Sequence, residues 1–182
     1  MFYKAQWFLR GIFYKPFFGK FGFPSYIGKP VYLGSKKNIF VGNQVRIFPG
    51  ARIEVVNDSA TIRFEDNVAI GQNLHITSGC ELIVSSGTTI AGDVAITNID
   101  HDYRKIGESI IDQQYIIKET KIGKNCYLGR GVMIQAGTVL GEQCVVGANS
   151  VVRGEFPDYC VIAGAPAKIV KKYNSISKVW ER

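Results

Sequence analysis

Residues 116–152 read IIKETKIGKNCYLGRGVMIQAGTVLGEQCVVGANSVV, and a branched aliphatic returns at every sixth position: Ile116, Ile122, Leu128, Ile134, Leu140, Val146 and Val152. Four residues after each comes a small or branched side chain, at Thr120, Cys126, Val132, Thr138, Cys144 and Ser150, until Phe156 breaks the series. Glycine follows the aliphatic at Gly123, Gly129, Gly141 and Gly147. A period of six is neither the roughly 3.6 of a helix nor the sustained alternation of a long strand. A coil of very short strands joined by corners satisfies it, which predicts an all-β chain.

Outward from this stretch the same phase recurs at Val41, Ile47 and Ile53, at Phe64, Ile70 and Ile76, and at Val84, Ile90 and Ile96, with slips of five, two and two residues between blocks. Asn43, Asn67, Asn73, Asn125 and Asn149 fall where corners are expected, and asparagine tolerates left-handed torsions there. Three hexads make a turn of about 18 residues, and turns stack at roughly 4.8 Å. Cys126 and Cys144 would then lie one above the other as buried thiols. The four cysteines, Cys80, Cys126, Cys144 and Cys160, have neither paired spacing nor neighbouring histidines, so packing is expected of them and a zinc site is not.

A chain of 182 residues, 46% hydrophobic, is one domain with its own core. No apolar run reaches the roughly 20 residues of a membrane span, and Met1 to Gly11 is interrupted by Lys4, Gln6 and Arg10, unlike a secretory leader. A cytoplasmic protein is expected. The net charge of +7 is unevenly placed: residues 1–53 hold nine Lys or Arg and no acid, while the remainder holds thirteen basic and fifteen acidic residues. Eleven of the twenty-two aromatics lie in the first 26 residues. Residues 1–15 suit a helix ended by Pro16, too short to cross a bilayer at about 1.5 Å per residue. Such a basic, aromatic segment, residues 1–23, fits either peripheral membrane contact or packing against the coil or another subunit. No nucleic-acid-binding module accompanies the charge, so nucleic acid is not an expected partner.

The hexads, the insertion after Ile96 carrying Asp100-His101, and the closing runs Val145 to Pro157 (VVGANSVVRGEFP) and Ile162 to Lys172 (IAGAPAKIVKK) resemble the hexapeptide-repeat acyltransferases. Within them the chain is similar to the O-acetyltransferases of O-antigen and capsule synthesis, and to galactoside and maltose acetyltransferases. The resemblance covers about residues 40–173 and implies a left-handed parallel β-helix, a homotrimer with sites between subunits, and acetyl-CoA as co-substrate. The expected layout is residues 1–30 as the basic aromatic segment, 31–165 as β-helix with an inserted loop at 97–115, and 166–182 as a C-terminal helix. That helix would turn Ile169, Tyr173, Ile176, Val179 and Trp180 onto the prism and cover its open end.

Acetyl transfer from a thioester to a sugar hydroxyl needs a base for the hydroxyl proton and a donor for the oxyanion. Only His75 and His101 offer imidazoles. His101 opens the long insertion and matches the family's catalytic histidine, with Asp100 or Asp102 as candidates to orient it; Asp93 sits in a hexad corner and reads as structural. His75 and Thr77 are acceptor-binding candidates, Thr77 standing where relatives carry asparagine. Coenzyme A brings phosphates that call for cations, and motif position carries its contacts to Arg130, Ala148, Arg153, Lys168 and Lys171, with Lys172 beside them. Relatives often have a small residue in place of Arg130. No phosphate loop of the nucleotide-binding type is present, and no metal is required by this chemistry. Alternatives of other kinds are transfer to the amine of a nucleotide-linked sugar, a hydratase using three histidines per metal, and a trimeric scaffold without activity.

Overall fold

The computed structural model describes residues 2–182; Met1 and the side chains of Phe2 and Tyr3, which belong to the expected N-terminal segment, lie outside the described residues. From residue 20 the chain winds through three parallel sheets, contributing one short strand to each per turn. On the first face the inward column is Phe21, Val41, Phe64, Val84, Ile122, Leu140 and Phe156. The second face stacks Ile27, Ile47, Ile70, Ile90, Leu128, Val146 and Ile162. The third stacks Leu33, Ile53, Ile76, Ile96, Ile134 and Val152. All but Phe21, Leu33 and Phe156 are at most 2% exposed, and each such burial removes about 1.5–3 kcal/mol of apolar side chain from water. The result is a β-solenoid of about seven turns, the all-β architecture that the hexads predict and the resemblance describes as a left-handed helix.

Two of the three corners hold a left-handed residue at a fixed position in almost every turn. Between the first and second faces these are Gln44, Asn67, Gly87, Asn125, Gln143 and Tyr159; between the second and third they are Gly50, Asn73, Asp93, Gly131 and Asn149. Four of the five predicted asparagines stand in these ladders, and Asp93 is structural as expected. Asn43 does not: Gln44 takes the positive φ, and Asn43 instead hydrogen-bonds Asp66 through its amide at 2.7 Å. The stacked thiols are present and extend by one member, because Cys144 and Cys160 lie 3.5 Å apart at sulfur, with all four cysteines reduced. Burial, then the hydrogen bond with Cys144, pushes the Cys160 thiol up to about 12.

Several boundaries differ from expectation. The coil begins near Lys20 rather than residue 31, since Phe21, Ile27 and Leu33 already form its first turn. Ile116 is not a rung. It pairs antiparallel with Asp100 inside the insertion, and the coil resumes with Thr120–Ile122. Phe156 occupies the aliphatic position opposite Leu140, because the last turn is two residues short. The C-terminal helix is absent. Ala167–Asn174 and Val179–Glu181 form a β-hairpin added antiparallel to Cys160–Gly164. The unpaired backbone edge of that last coil strand is satisfied by a strand and not by a helix face. Asn174 turns the hairpin by accepting the amides of Ile176 and Ser177 at 2.9 and 3.2 Å. Ile169 still packs on the core, whereas Ile176 is 93% exposed at the tip.

At the other end the predicted helix is present as Phe2–Tyr14, followed by a 3-10 turn, Lys15–Phe17, that holds Pro16. Among the described residues no helix is long and apolar enough to cross a membrane.

In the native protein a thiol-specific disulfide reagent should reach no cysteine beyond Cys80 promptly, with Cys126, Cys144 and Cys160 reacting only on unfolding; prompt reaction of three thiols would contradict the stack. Gly131→Ala should lower stability by about 1–3 kcal/mol, read from the denaturant midpoint, because its φ is +70° and the new methyl would run into the Asn149 side chain.

Candidate active site

The third corner, between the third and first faces, differs from the other two. All the slips of register open there, and so does the insertion. Thr97 ends a third-face strand, and its Oγ1 accepts the Ile99 amide at 3.0 Å, turning the chain outward. Ile99–His101 and Tyr115–Ile117 then pair antiparallel, so the expected loop is a hairpin with a long tip. Asn98 roots it. Fully buried, it accepts the Gly79 amide at 2.8 Å and donates to Ser78 Oγ and Cys80 Sγ, both at 3.1 Å, while its carbonyl accepts the Lys118 amide at 2.9 Å. Ile99 and Ile117 lie over Gly79, where a Cβ would come within 2.9 Å of Ile117 Cδ1. Gln113 organises the tip, accepting the Lys105 amide and donating to the carbonyls of Lys105 and Glu108.

His101 is exposed on this hairpin, opposite Tyr115 in the ladder, with ring centroids 4.9 Å apart in an edge-on arrangement. Successive strand residues point to opposite faces, and the flanking carboxylates are engaged away from the imidazole. Asp100 Oδ2 accepts from Arg153 Nη2 at 2.9 Å. Asp102 is gripped by the Arg104 guanidinium at 2.6 and 2.8 Å. Those bonds, followed by one from the Arg104 amide, hold the Asp102 carboxyl well below the usual carboxylate range. The expectation that Asp100 orients His101 is therefore corrected: Asp100 ties the hairpin base to the coil. Among the described residues no hydrogen bond reaches the His101 ring.

His75 and Thr77 lie on the third-face strand His75–Ser78, which pairs with Ala95–Thr97, the strand that launches the hairpin. His75 is exposed opposite Ala95, and Thr77 stands opposite Thr97. The outward column that runs through Thr77 and Thr97 continues two coils on, where Arg153 follows Val152. The third face and its corner thus collect His75, Thr77, Asp100 and Arg153 around the hairpin that bears His101.

The other coenzyme candidates fall elsewhere. Arg130 sits in the second corner, 2.7 Å from Asp93 Oδ2, and Asp93 also accepts from Asn73 at 2.9 Å. The Asn73 bond first, then Arg130, depresses the Asp93 carboxyl below its ordinary value. Ala148 is exposed in the same corner one turn on; Lys168 and Lys171 are exposed on the C-terminal hairpin, opposite Ala163 and Val161. Lys168 and Lys171 make no ion pair among the described residues. Small exposed residues, Ala148 and Gly164, leave backbone open beside these cations. Arg153 belongs with the hairpin and not with this group. Among the described residues no three His, Cys, Asp or Glu side chains converge as a metal set.

Sequence reasoning missed Asn98, Gln113 and Tyr115. An Asn just past the last rung of a block was the available signal for the first, and the pairing of Tyr115 with His101 becomes visible only once the insertion is known to be a hairpin.

The bacterial transferase hexapeptide family (six repeats) matches residues 119–154. A putative lipopolysaccharide biosynthesis O-acetyl transferase of Escherichia coli, WbbJ, is 40% identical over 128 residues, covering 66% of this chain and 65% of that one. A galactoside O-acetyltransferase of the same organism is 28% identical over 63% of this chain and 59% of its own length. The chain thus spans less than two thirds of these relatives. Among solved structures, an N-acyltransferase from Bacillus cereus, in complex with dTDP and 3-hydroxybutyryl-CoA, superposes with a TM-score of 0.75 at 17% identity, over 92% of this chain and 90% of that one. A hexapeptide-repeat acetyltransferase from Vibrio cholerae gives 0.59 at 25% identity, over 92% and 81%.

Asn98→Ala should cost about 1–3 kcal/mol by leaving the Gly79 amide without its acceptor, and should speed limited proteolysis within residues 102–114. Arg153→Ala should speed the same cleavage with little change in melting temperature, since the pair it forms with Asp100 is half-exposed. Equal cleavage rates in all three proteins would show that the hairpin is held by neither.

Proposed function

We propose that this chain, which carries the hexapeptide repeats of the bacterial transferases over residues 119–154, is an acetyl-CoA-dependent O-acetyltransferase acting on a sugar hydroxyl in bacterial surface-polysaccharide synthesis. The observation that carries the reading is His101, an exposed imidazole presented on a rooted hairpin with both neighbouring carboxylates drawn away from it. Such a ring is available to a hydroxyl brought from solvent. The 40% identity to the lipopolysaccharide O-acetyl transferase supports the substrate class.

In this reading His101 takes the proton of the sugar hydroxyl as its oxygen attacks the thioester carbonyl. The tetrahedral intermediate collapses with loss of the thiolate of coenzyme A, which receives the proton from His101. The products are an acetyl ester and a free thiol, with no covalent enzyme intermediate. Tyr115 packs edge-on against the ring and limits its orientations. Thr77 and His75 would meet the acceptor on the third face. Lys168 and Lys171, with Arg130 and the open backbone at Ala148, would hold the phosphates and arm of the coenzyme along the second corner. The two groups lie on different edges of the third face, which is why we place the complete site between subunits of a homotrimer. The donor places the reaction in the cytoplasm.

His101→Ala should lower acetyl transfer from acetyl-CoA by about a hundredfold to ten-thousandfold while gel filtration shows the same assembly. Unchanged transfer would remove His101 as the base, and no transfer by the unaltered protein would return it to the scaffold reading. Products in which the acetyl group sits on nitrogen would move it to the amino-sugar acyltransferases.

A further inference from the structure

The N-terminal helix, Phe2–Tyr14, is apolar on two sides, and only one of them is used by the coil. On the packed side Trp7 lies with ring centroids 5.9 Å from Tyr26 and 5.2 Å from Phe48, and Phe8 lies 6.0 Å from Phe23. Gly11 is buried against Phe21 and Ser25, and Arg10 donates to the Ile27 carbonyl at 3.3 Å. The opposite side carries Ala5, Leu9, Ile12 and Phe13, of which the last three are 66%, 58% and 68% exposed. Phe17 and Phe23 extend this surface at 54% and 69%. A groove of about 230 Å³ continues it between helix and coil, lined by Phe8, Ile12, Phe21 and Phe23 with Lys15 at its rim.

Exposed apolar area of this kind needs an occupant. The charge around it selects one. Lys4 and Lys15 are exposed toward the two ends of the helix and make no ion pair among the described residues, and no acidic residue occurs before Glu54. A second copy docking face to face would bring acid-free surfaces together, and like charges oppose that contact. At about 1.5 Å per residue, thirteen residues reach roughly 20 Å, short of a span. Aromatic and aliphatic side chains flanked by lysine suit the headgroup region of an anionic bilayer, with the helix in the membrane plane.

We propose that the outer face of the N-terminal helix, Leu9, Ile12 and Phe13 with Phe17 and Phe23, docks this protein on the surface of an anionic lipid bilayer. Trp7, Phe8 and Gly11 fasten the helix to the first coil, so docking carries the whole β-helix with it. The coil axis and the third-face hairpin are thereby held at a fixed attitude to the lipid. This inference is independent of the acyl-transfer reading, because lipid binding is measured without a reaction.

Flotation of the full chain with vesicles of phosphatidylcholine, alone or mixed with phosphatidylglycerol, tests it. The mixed vesicles should carry the protein and the neutral ones should carry far less, with binding falling as salt rises. Replacing Leu9, Ile12 and Phe13 together by serine should lower the bound fraction at least about tenfold. Lys4→Gln with Lys15→Gln should cost about fivefold for each cation at low salt, and these exposed lysines leave the packed face untouched, so folding is unaffected. Failure of the unaltered protein to float, or flotation of both variants at the parent's level, would overturn the proposal. So would a serine variant that forms a smaller assembly in gel filtration while the parent ignores vesicles, which would assign the face to contact between copies.

Discussion

Every turn of this molecule must satisfy its backbone by pairing with the turns before and after it, and that single demand dictates most of what is seen. Strands of two to five residues can pair coil on coil only if each face keeps its register through the stack. Register is kept by an aliphatic pointing inward at the same place on every face, and by a left-handed residue that reverses the chain in the same place at two corners. Those two corners cannot absorb extra residues, because their ladders stack one upon another: Gly131 beneath Asn149 and Gly87 beneath Asn125 leave no space even for a methyl group. Length variation is pushed to the third corner. That is why the additional residues after Val55 and Ser78, the whole insertion after Thr97, and the shortened final turn all occur there. A scaffold this repetitive has one place to build something unlike itself.

The repeat was legible because its side chains are equivalent: Ile122, Leu128 and Ile134 answer to the same inward demand and therefore share a phase. Ile116 shared that phase by coincidence of insertion length, which no periodicity can distinguish from a rung. The first turn was legible too and went unread. Phe21-Gly22, Ile27-Gly28 and Leu33-Gly34 are hexads, but the aromatic at their head and the basic residues around them resembled a segment of another kind. At the far end the spacing of Ile169, Tyr173, Ile176 and Trp180 suits a helix equally well. What decided the outcome was the exposed edge of Cys160–Gly164, a tertiary demand that local spacing does not contain.

The site divides in the same way. His101 could be read as a candidate because a histidine at the mouth of a long insertion departs from the pattern around it. Its relation to Asp100 and Asp102 could not, since adjacency in sequence suggests contact and adjacency in a strand forbids it. The carboxylates serve the hairpin: Asp100 reaches across two coils to Arg153, and Asp102 closes on Arg104. Asn98 matters for the same reason that it was invisible, as a buried amide whose four partners are brought together only when the third corner has folded.

The two ends of the coil set the last constraint. Each presents strands whose outer edge lacks a following turn, and each is closed, but by different means. The C-terminal hairpin continues the second face and turns Lys168, Lys171, Lys172 and Glu181 to solvent beside Val170, Ile176 and Val179, so closure there leaves a mixed exterior with charges of both signs. The N-terminal helix closes its end with Trp7, Phe8, Gly11 and Tyr14, and closure alone would be complete with a polar outer side. Leu9, Ile12 and Phe13 are surplus to that purpose. They contribute nothing to the core and carry an energetic cost of hydration that folding does not offset. The asymmetry of charge follows the same line, since the acids of the chain all lie beyond residue 53, on later coils, the hairpin and the C-terminus. An end that is both apolar outside and free of acid is what the proposed docking on a surface of opposite charge rests on, and there the β-helix would fix how far above that surface His101 stands.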